Sequence, residues 1–132
     1  MTSEGPMLPT RPRVALVTAD TEDREPEIRT RATRDHTLIQ RWAARRRAEP
    51  ATGETTESGT AVPFSVNDQD AGVRFNFPGF ARFRPISWAE WFDNFERHDL
   101  IFVFERDEPG GPLGNRCRII PAPSLDREAV IV

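Results

Sequence analysis

A helix signal that leads directly into an apolar strand constrains the fold of this chain more than any other feature. Ser87 followed by Glu90 is a capping box, which marks a helix start because the two side chains satisfy free backbone N–H groups. Ile86 and Trp91 add a hydrophobic staple at the same point. The five apolar residues Leu100–Phe104 then predict a central strand that is covered on both faces. Such a sequence requires a layer of helices packed on a sheet.

An earlier helix is predicted from about His36 to Arg47, because Asp35 is a good N-cap and Pro50 ends the pattern. In both helices the apolar residues recur at helical spacing and lie on one face. These residues are Leu38, Ile39, Trp42 and Ala43 in the first helix and Trp88, Trp91, Phe92 and Phe95 in the second.

Two hairpins are expected, one between the helices and one after the second helix. Residues 73–77 alternate clearly, and the turn-forming residues 67–72 join them to an earlier strand at either 51–57 or 61–66. Arg116–Ile120 is the return strand of the second hairpin. The resulting order, αββαββ, predicts an α+β fold in which an antiparallel sheet of about four strands carries two helices on one face.

A length of 132 residues favours one domain. Residues 1–29 are rich in proline and acidic side chains and are predicted to form a flexible arm, with one short strand at 13–20 whose place in the sheet stays open. The single α+β domain is assigned to residues 30–123, and residues 124–132 form a C-terminal tail whose apolar end could dock.

Several short motifs of the predicted domain recur elsewhere: Arg41-Trp42-Ala43, Pro50-Ala51, Phe77-Pro78-Gly79 and Ile86–Phe95. With them, the stretch from Asp35 to Phe104 resembles a group of small uncharacterised bacterial proteins. Some members of that group are automatically mislabelled as 1,4-α-glucan branching enzymes, whose barrel takes about 250 residues and has no room here. The motifs are caps and apolar stripes, so the resemblance implies a folded domain and no particular activity.

The side chains available for catalysis or metal binding are few. His36, His98 and Cys117 have no partner at ligand spacing, whereas a zinc site needs three or four ligands. Cys117 and His98 would form a nucleophile pair only if the last hairpin folded over the second helix. Three carboxylates follow a spacing that is typical of a solvated helix face: Asp93, Glu96 and Asp99. We therefore expect no catalytic residue, no metal and no cofactor.

Charge is segregated along the chain, although the formal net charge is only −3. Residues 28–47 hold seven arginines against Asp35 alone, and residues 87–108 hold seven acidic residues against two arginines. Arg41 and Arg45, at i and i+4, repel each other unless an anion lies between them. That anion is either external, such as a nucleic-acid phosphate, or an acidic group of the second helix, in the same chain or a second copy. The candidate anion contacts are Arg34, Arg41, Arg45, Arg46 and Arg47.

A loop before the second helix interleaves phenylalanine with arginine. Its three phenylalanines either pack beneath the domain or form an apolar patch for a partner. The residues of this candidate partner patch are Phe77, Phe80, Phe83, Arg82 and Arg84.

Together these features predict a small non-catalytic binding module that acts through protein–protein contacts, including self-association as a homodimer. Nucleic-acid binding through the arginine-rich helix 34–47 is the alternative, and a small enzyme comes third. A single cysteine and the lack of a long apolar run favour a cytoplasmic protein with no membrane partner.

Overall fold

Two helices and two sheets form the part of the chain that the computed structural model describes, which is residues 13–55, 65–66, 72–80, 82–125 and 129–131. The helices are α1 (His36–Arg45) and α2 (Trp88–Arg97). The strands are β1 (Val14–Leu16), β2 (Thr30–Thr33), β3 (Glu49–Thr55), β4 (Ser65–Val66), β5 (Arg74–Asn76), β6 (Phe83–Pro85), β7 (Leu100–Glu105), β8 (Cys117–Pro121) and β9 (Ala129–Ile131). The α+β class predicted from the sequence is confirmed.

The larger sheet has the strand order β4-β8-β7-β2-β1-β9. Its centre is antiparallel, since β7 pairs with both β2 and β8, while the outer pairs are parallel. In this register Val14 lies beside Thr30, Thr30 beside Glu105, and Phe104 beside Cys117. The start of β2 and the end of β7, which are interior strands of the sheet, therefore lie side by side where these strands end.

The central strand β7 is buried on both faces, as its apolar run predicts. Leu100, Phe102 and Phe104 belong to the main core, which also contains the buried faces of both helices. Ile101 and Val103 alternate with them and belong to a second cluster on the opposite face. Both helices therefore pack on the same face of the larger sheet, as expected.

The predicted helix caps are present as hydrogen bonds. The Asp35 carboxylate accepts from the Thr37 N–H, and Ser87 Oγ accepts from the Glu90 N–H at 3.1 Å. The first helix ends earlier than predicted, at Arg45, because the chain reaches the left-handed region at Arg47 with φ of +56°. Except for the half-buried Trp88, the stripe residues named above are buried.

The strand pairing between the helices differs from the predicted hairpin. Strand β5 pairs with β3 rather than with a strand at 61–66, so the earlier of the two alternatives is the correct partner. The pair Ser65–Val66 instead lies parallel to β8 in the larger sheet. Residues 56–64 and 67–71, which complete the predicted segments, lie outside the described residues.

A third strand joins this smaller sheet from the segment that was predicted as a loop. The Asn76 side chain accepts from the Phe83 N–H at 2.7 Å and donates to the Phe83 carbonyl at 3.0 Å. These bonds hold β6 close to the sheet, where β6 pairs with the other edge of β3. The strand order is β5-β3-β6, so the chain forms two sheets rather than the predicted single one.

Both ends of the described chain also enter the larger sheet. Strand β1, within the segment 13–20 that the sequence left open, pairs with β2 on one side and β9 on the other. The sheet therefore includes a strand that the predicted division placed in the arm 1–29. Strand β9 shows that the apolar end of the tail 124–132 docks, whereas residues 1–12, 126–128 and 132 lie outside the described residues.

Candidate functional site

The arginines predicted as anion contacts lie around α1, and the first of them faces the end of α2. Arg34 Nη1 lies 2.8 Å from Asp99 Oδ1, and Arg34 Nη2 lies 3.2 Å from Glu96 Oε1. His36 Nε2 lies 2.9 Å from the other Glu96 oxygen, and the His36 ring stacks on Phe92. At this position the acidic second helix supplies the counter-charge within the same chain, which is one of the predicted alternatives.

A carboxylate lies between Arg41 and Arg45, where an anion would relieve the repulsion expected from their spacing. Glu22 Oε1 is 3.1 Å from Arg41 Nη1, and Glu22 Oε2 is 3.6 Å from Arg45 Nη1. The anion therefore comes from the acidic stretch that precedes the helix in the chain. This ion pairing removes the reason to place an external phosphate at these two residues.

Arg46 is buried and anchors the loop between β7 and β8. Its side chain is 1% exposed and forms an ion pair with Asp107 at 2.5 Å. Arg46 Nε donates to the Gly114 carbonyl at 2.6 Å, and the guanidinium lies 4.2 Å above the Trp42 ring. Burial lowers the pKa of Arg46 and the nearby Asp107 charge opposes that shift. Arg46 is therefore not available to an external anion.

Arg47 is the remaining member of the predicted anion site. It is exposed, and its guanidinium makes no hydrogen bond or ion pair with the residues that the structure describes. One free arginine at the end of a helix does not form the charged face that the sequence predicted.

The candidate partner patch is not an apolar surface. Phe77 and Phe83 are only 1% and 7% exposed, and Phe80 packs edge-on against Phe77 at 6.4 Å. Arg82 forms an ion pair with Glu49, while Arg84 is exposed. The burial of Phe77 and Phe83 therefore supports the first of the two alternatives, in which the phenylalanines pack beneath the domain.

Cys117 and His98 do not form a site. Cys117 pairs with Phe104 at one end of β7, whereas His98 precedes Leu100 at the other end. Burial raises the pKa of the Cys117 thiol above its ordinary value, so the thiol stays protonated and is a poor nucleophile. His98 Nδ1 lies 3.0 Å from the Asn94 carbonyl, at the end of α2.

The acidic stretch before β2 is an ordered loop, which we call the acidic loop and define as residues 20–27. Its backbone is closed by turns, including hydrogen bonds from Arg24 N–H to the Thr21 carbonyl and from Ile28 N–H to the Glu25 carbonyl. Four of its carboxylates are exposed and make no ion pair with described residues: Asp20, Asp23, Glu25 and Glu27.

Arg31 holds the acidic loop from beneath and was not singled out by the sequence analysis. Its side chain is fully buried on β2. Nη1 donates to the Glu25 and Ile28 carbonyls at 2.9 Å, and Nη2 donates to the Glu22 and Arg24 carbonyls. Four carbonyl groups thus converge on one guanidinium. No local sequence pattern identifies this role, because Arg31 resembles the other arginines of its segment.

A cleft of about 280 Å³ opens at the edge of the larger sheet where β2 begins and β7 ends. Its lining combines the end of β7 with the following loop and the start of β8. Six of the lining residues are charged: Arg29, Glu105, Arg106, Asp107, Glu108 and Arg116. We call this feature the arginine cleft.

The acidic residues of the arginine cleft are all partnered. Glu105 accepts from the Thr30 hydroxyl at 2.7 Å, and Asp107 pairs with the buried Arg46 as described. Glu108 forms an ion pair with Arg29, with Glu108 Oε1 at 2.5 Å from Arg29 Nη1.

Two arginines of the cleft have no partner among the described residues. Arg106 is half-buried and Arg116 is exposed, and neither guanidinium makes a hydrogen bond or ion pair within the described ranges. The charge that the cleft leaves available is therefore positive. The sequence analysis did not select these residues, because they are isolated in the chain and lie in its acidic half.

Other sources of functional information add little. Neither described helix is long and apolar enough to span a membrane. Within the described ranges, no group of three or more histidine, cysteine or acidic residues is arranged to hold a metal ion. Comparisons of the chain with protein-family models, with curated proteins and with solved structures find no match.

Proposed function

We propose that this protein is a binding module that holds a carboxylate-bearing segment of a protein partner in the arginine cleft. The observation that carries the proposal is the charge imbalance in this cleft. Asp107 and Glu108 form ion pairs, and Glu105 accepts only from the uncharged Thr30 hydroxyl, whereas Arg106 and Arg116 both lack a partner among the described residues, so positive charge is in excess. Guanidinium groups match carboxylates in geometry, because both are planar and can share two parallel hydrogen bonds.

The strand register adds a reason to expect an anion beside Arg106. The Arg106 N–H donates to the Arg29 carbonyl at 2.8 Å, so these two arginines lie opposite each other on neighbouring strands. Like charges in opposed positions destabilise a sheet. Burial lowers the pKa of Arg31, and the charge of Arg106 lowers it further. An anion bound at Arg106 would reduce both repulsions.

The size and charge of the cleft favour a side chain over other anions. Its volume of about 280 Å³ is below the roughly 300–1,000 Å³ of typical small-molecule sites. Glu105, whose carboxylate has no ion pair with described residues, would repel a doubly charged phosphate more strongly than a singly charged carboxylate. A protein segment that offers one or two acidic side chains therefore fits better than a nucleotide or a nucleic-acid backbone.

Nucleic-acid binding through α1 is the competing function. It would require Arg34, Arg41, Arg45 and Arg46 to exchange carboxylates of their own chain for phosphates. Only Arg47 of that set lacks such a partner among the described residues. The ion pairs therefore favour the protein-binding function.

The test is the binding of a fluorescent peptide with four consecutive glutamates, followed by anisotropy at low salt against a glutamine peptide of equal length. We expect Arg106→Gln with Arg116→Gln to weaken binding at least tenfold. A matched control, Arg47→Gln with Arg84→Gln, removes equal charge from the two sequence-predicted sites and should leave binding within twofold.

Equal loss in both double variants would indicate a response to net charge and contradict the proposal. Tighter binding of a mixed-sequence oligonucleotide that disappears in the control variant would favour the nucleic-acid function instead.

A further inference from the structure

The surface beside the arginine cleft carries charge of the opposite sign. The acidic loop presents four exposed carboxylates with no ion-pair partner in the described part of the chain, whereas its fifth acidic side chain, Glu22, faces α1. Among the described residues, the arginine cleft and the acidic loop therefore carry unneutralised charges of opposite sign.

The two sites are neighbours. The acidic loop runs through Ile28 into Arg29, which lines the cleft. Arg45 Nη1 also joins them, since it lies 3.6 Å from Glu22 of the loop and 3.5 Å from Asp107 of the cleft. The acidic loop and the arginine cleft are thus adjacent, connected by Arg29 and Arg45.

The acidic loop is preorganised for contact with another molecule. Arg31 binds three of its backbone carbonyls and that of the following Ile28, and Glu22 is held by Arg41 and Arg45. Ordering a loop on binding costs free energy, and a loop that is already ordered avoids most of that cost. The same anchoring prevents the loop from turning into its own cleft, because its carbonyls would have to leave Arg31.

Adjacent sites of opposite sign are the requirement for a self-complementary contact. In a twofold dimer, one surface meets an identical surface in reversed orientation, so each positive site faces the negative site of the other copy. We infer that the occupant of the arginine cleft is the acidic loop of a second copy of this chain. This inference rests on the proposed function, since it names the partner of the same cleft.

The inference predicts a dimer that depends on salt. Sedimentation of the full chain across a concentration series should show dimer at 50 mM salt and a shift to monomer at 500 mM, since exposed charges are screened. Reversing the cleft with Arg106→Glu and Arg116→Glu should give a monomer under both conditions. In the loop, Asp20→Arg with Glu25→Arg turns four exposed negative charges into two of each sign and should do the same, because no net negative charge is then left to face the cleft. These two carboxylates are not among the acidic groups whose charges act on the pKa of Arg31.

The decisive measurement is an equimolar mixture of the two reversed variants. In a mixed dimer one contact joins the unchanged cleft to the unchanged loop and is attractive, and the other places the two new glutamates beside the two new arginines and is not repulsive. Dimer should therefore return in the mixture, which also shows that each variant is folded. If either variant fails to fold, Arg106→Gln replaces it and should weaken the dimer at least tenfold.

Three outcomes would overturn the inference. They are a wild-type chain that stays monomeric at 50 mM salt and 200 µM protein, a dimer in either reversed variant, and a mixture that does not recover. The glutamate peptide separates this result from the proposed function. A monomeric chain that still binds the peptide through Arg106 and Arg116 retains the function with a different partner, and a chain that binds neither contradicts both.

Discussion

The arginines around α1 and those of the cleft carry the same charge in opposite settings. Arg34, Arg41 and Arg46 each contact a carboxylate of their own chain, and Arg46 is closed to solvent. Arg106 and Arg116 contact none that the structure describes. A dense run of charge in the sequence therefore marks where this fold binds its own counter-ions, while Arg106 and Arg116 lie at isolated positions in the chain.

The two settings also differ in how much a substitution lowers the free energy of unfolding. An exposed ion pair contributes little, about 0–1 kcal/mol. Removal of one member of a buried ion pair or hydrogen-bond network leaves its partners unsatisfied where little water can reach them. The resulting loss in the free energy of unfolding is several times larger. Substitutions of the buried arginines Arg31 and Arg46 should therefore lower the free energy of unfolding most, and substitutions in the cleft should mainly affect binding.

The largest effect is expected for Arg31→Met, which removes the donor shared by three carbonyls of the acidic loop and the carbonyl of Ile28. We expect a loss of about 4 kcal/mol in the free energy of unfolding, measured in urea, because methionine fills the space but donates no hydrogen bond. The acidic loop should also become sensitive to a protease that cleaves after glutamate.

Arg24→Met is the matched control for that substitution, since Arg24 is an exposed arginine of the same loop. It should change the stability by no more than about 0.5 kcal/mol. A similarly small effect of Arg31→Met would show that water replaces the guanidinium, and that Arg31 does not organise the loop.

A second large effect is expected for Asp107→Asn, which leaves the Arg46 guanidinium without its counter-charge. The expected loss is about 2–3 kcal/mol in urea, at the low end for a buried pair because Asp107 is partly exposed. Asp93→Asn breaks the exposed pair with Arg97 and should cost less than about 0.5 kcal/mol. Equal losses in the two variants would contradict the distinction between internal and exposed pairs.

Local features of the fold were predictable from the sequence. The Ser87 cap and the two-sided burial of Leu100–Phe104 follow from residues that are neighbours in the chain. Strand pairing was less predictable, because β6 is held by bonds between the Asn76 side chain and Phe83. An asparagine before a phenylalanine-rich loop carries no signal for such a contact.

The candidate site was harder to predict, because its partners are distant in sequence. Glu22 and Arg41 are separated by 19 positions, and Arg46 and Asp107 by 61. The i, i+4 spacing of Arg41 and Arg45 indicated that an anion was needed, but not that Glu22 supplies it. Whether Arg106 has a partner depends on every acidic group near it, which only the tertiary structure reveals.

The Cys117 thiol lies near Arg46, so the pKa of the thiol reports how strongly the Arg46 charge acts in the core. Burial raises the thiol pKa, and the Arg46 charge opposes the shift only in part. The folded state therefore binds the proton more tightly, so stability is complete below the unfolded pKa of about 8.5 and falls as the pH rises above it. The chain has no lysine or tyrosine to titrate in this range.

Between pH 7 and pH 10 we expect the wild type to lose about 2 kcal/mol in the free energy of unfolding. Cys117→Ala should lose little over the same range, although it is less stable at pH 7. The measurement is urea unfolding with reductant at several pH values. Parallel curves for the two proteins would mean that Arg46 offsets the burial of the thiol.

The smallest change in the free energy of unfolding is expected for Arg106→Gln. Whether this change is a gain or a loss distinguishes the arginines of the cleft from those that stabilise the fold. The substitution removes a charge that lies opposite Arg29 and near Arg31, so it should raise the free energy of unfolding by about 0.3–0.5 kcal/mol. High salt should reduce the gain, since it screens the repulsion in the wild type. A loss of more than about 1 kcal/mol would instead place Arg106 with Arg31 and Arg46 among the arginines that stabilise the fold. In that case Arg116 would be the one cleft arginine without a partner among the described residues.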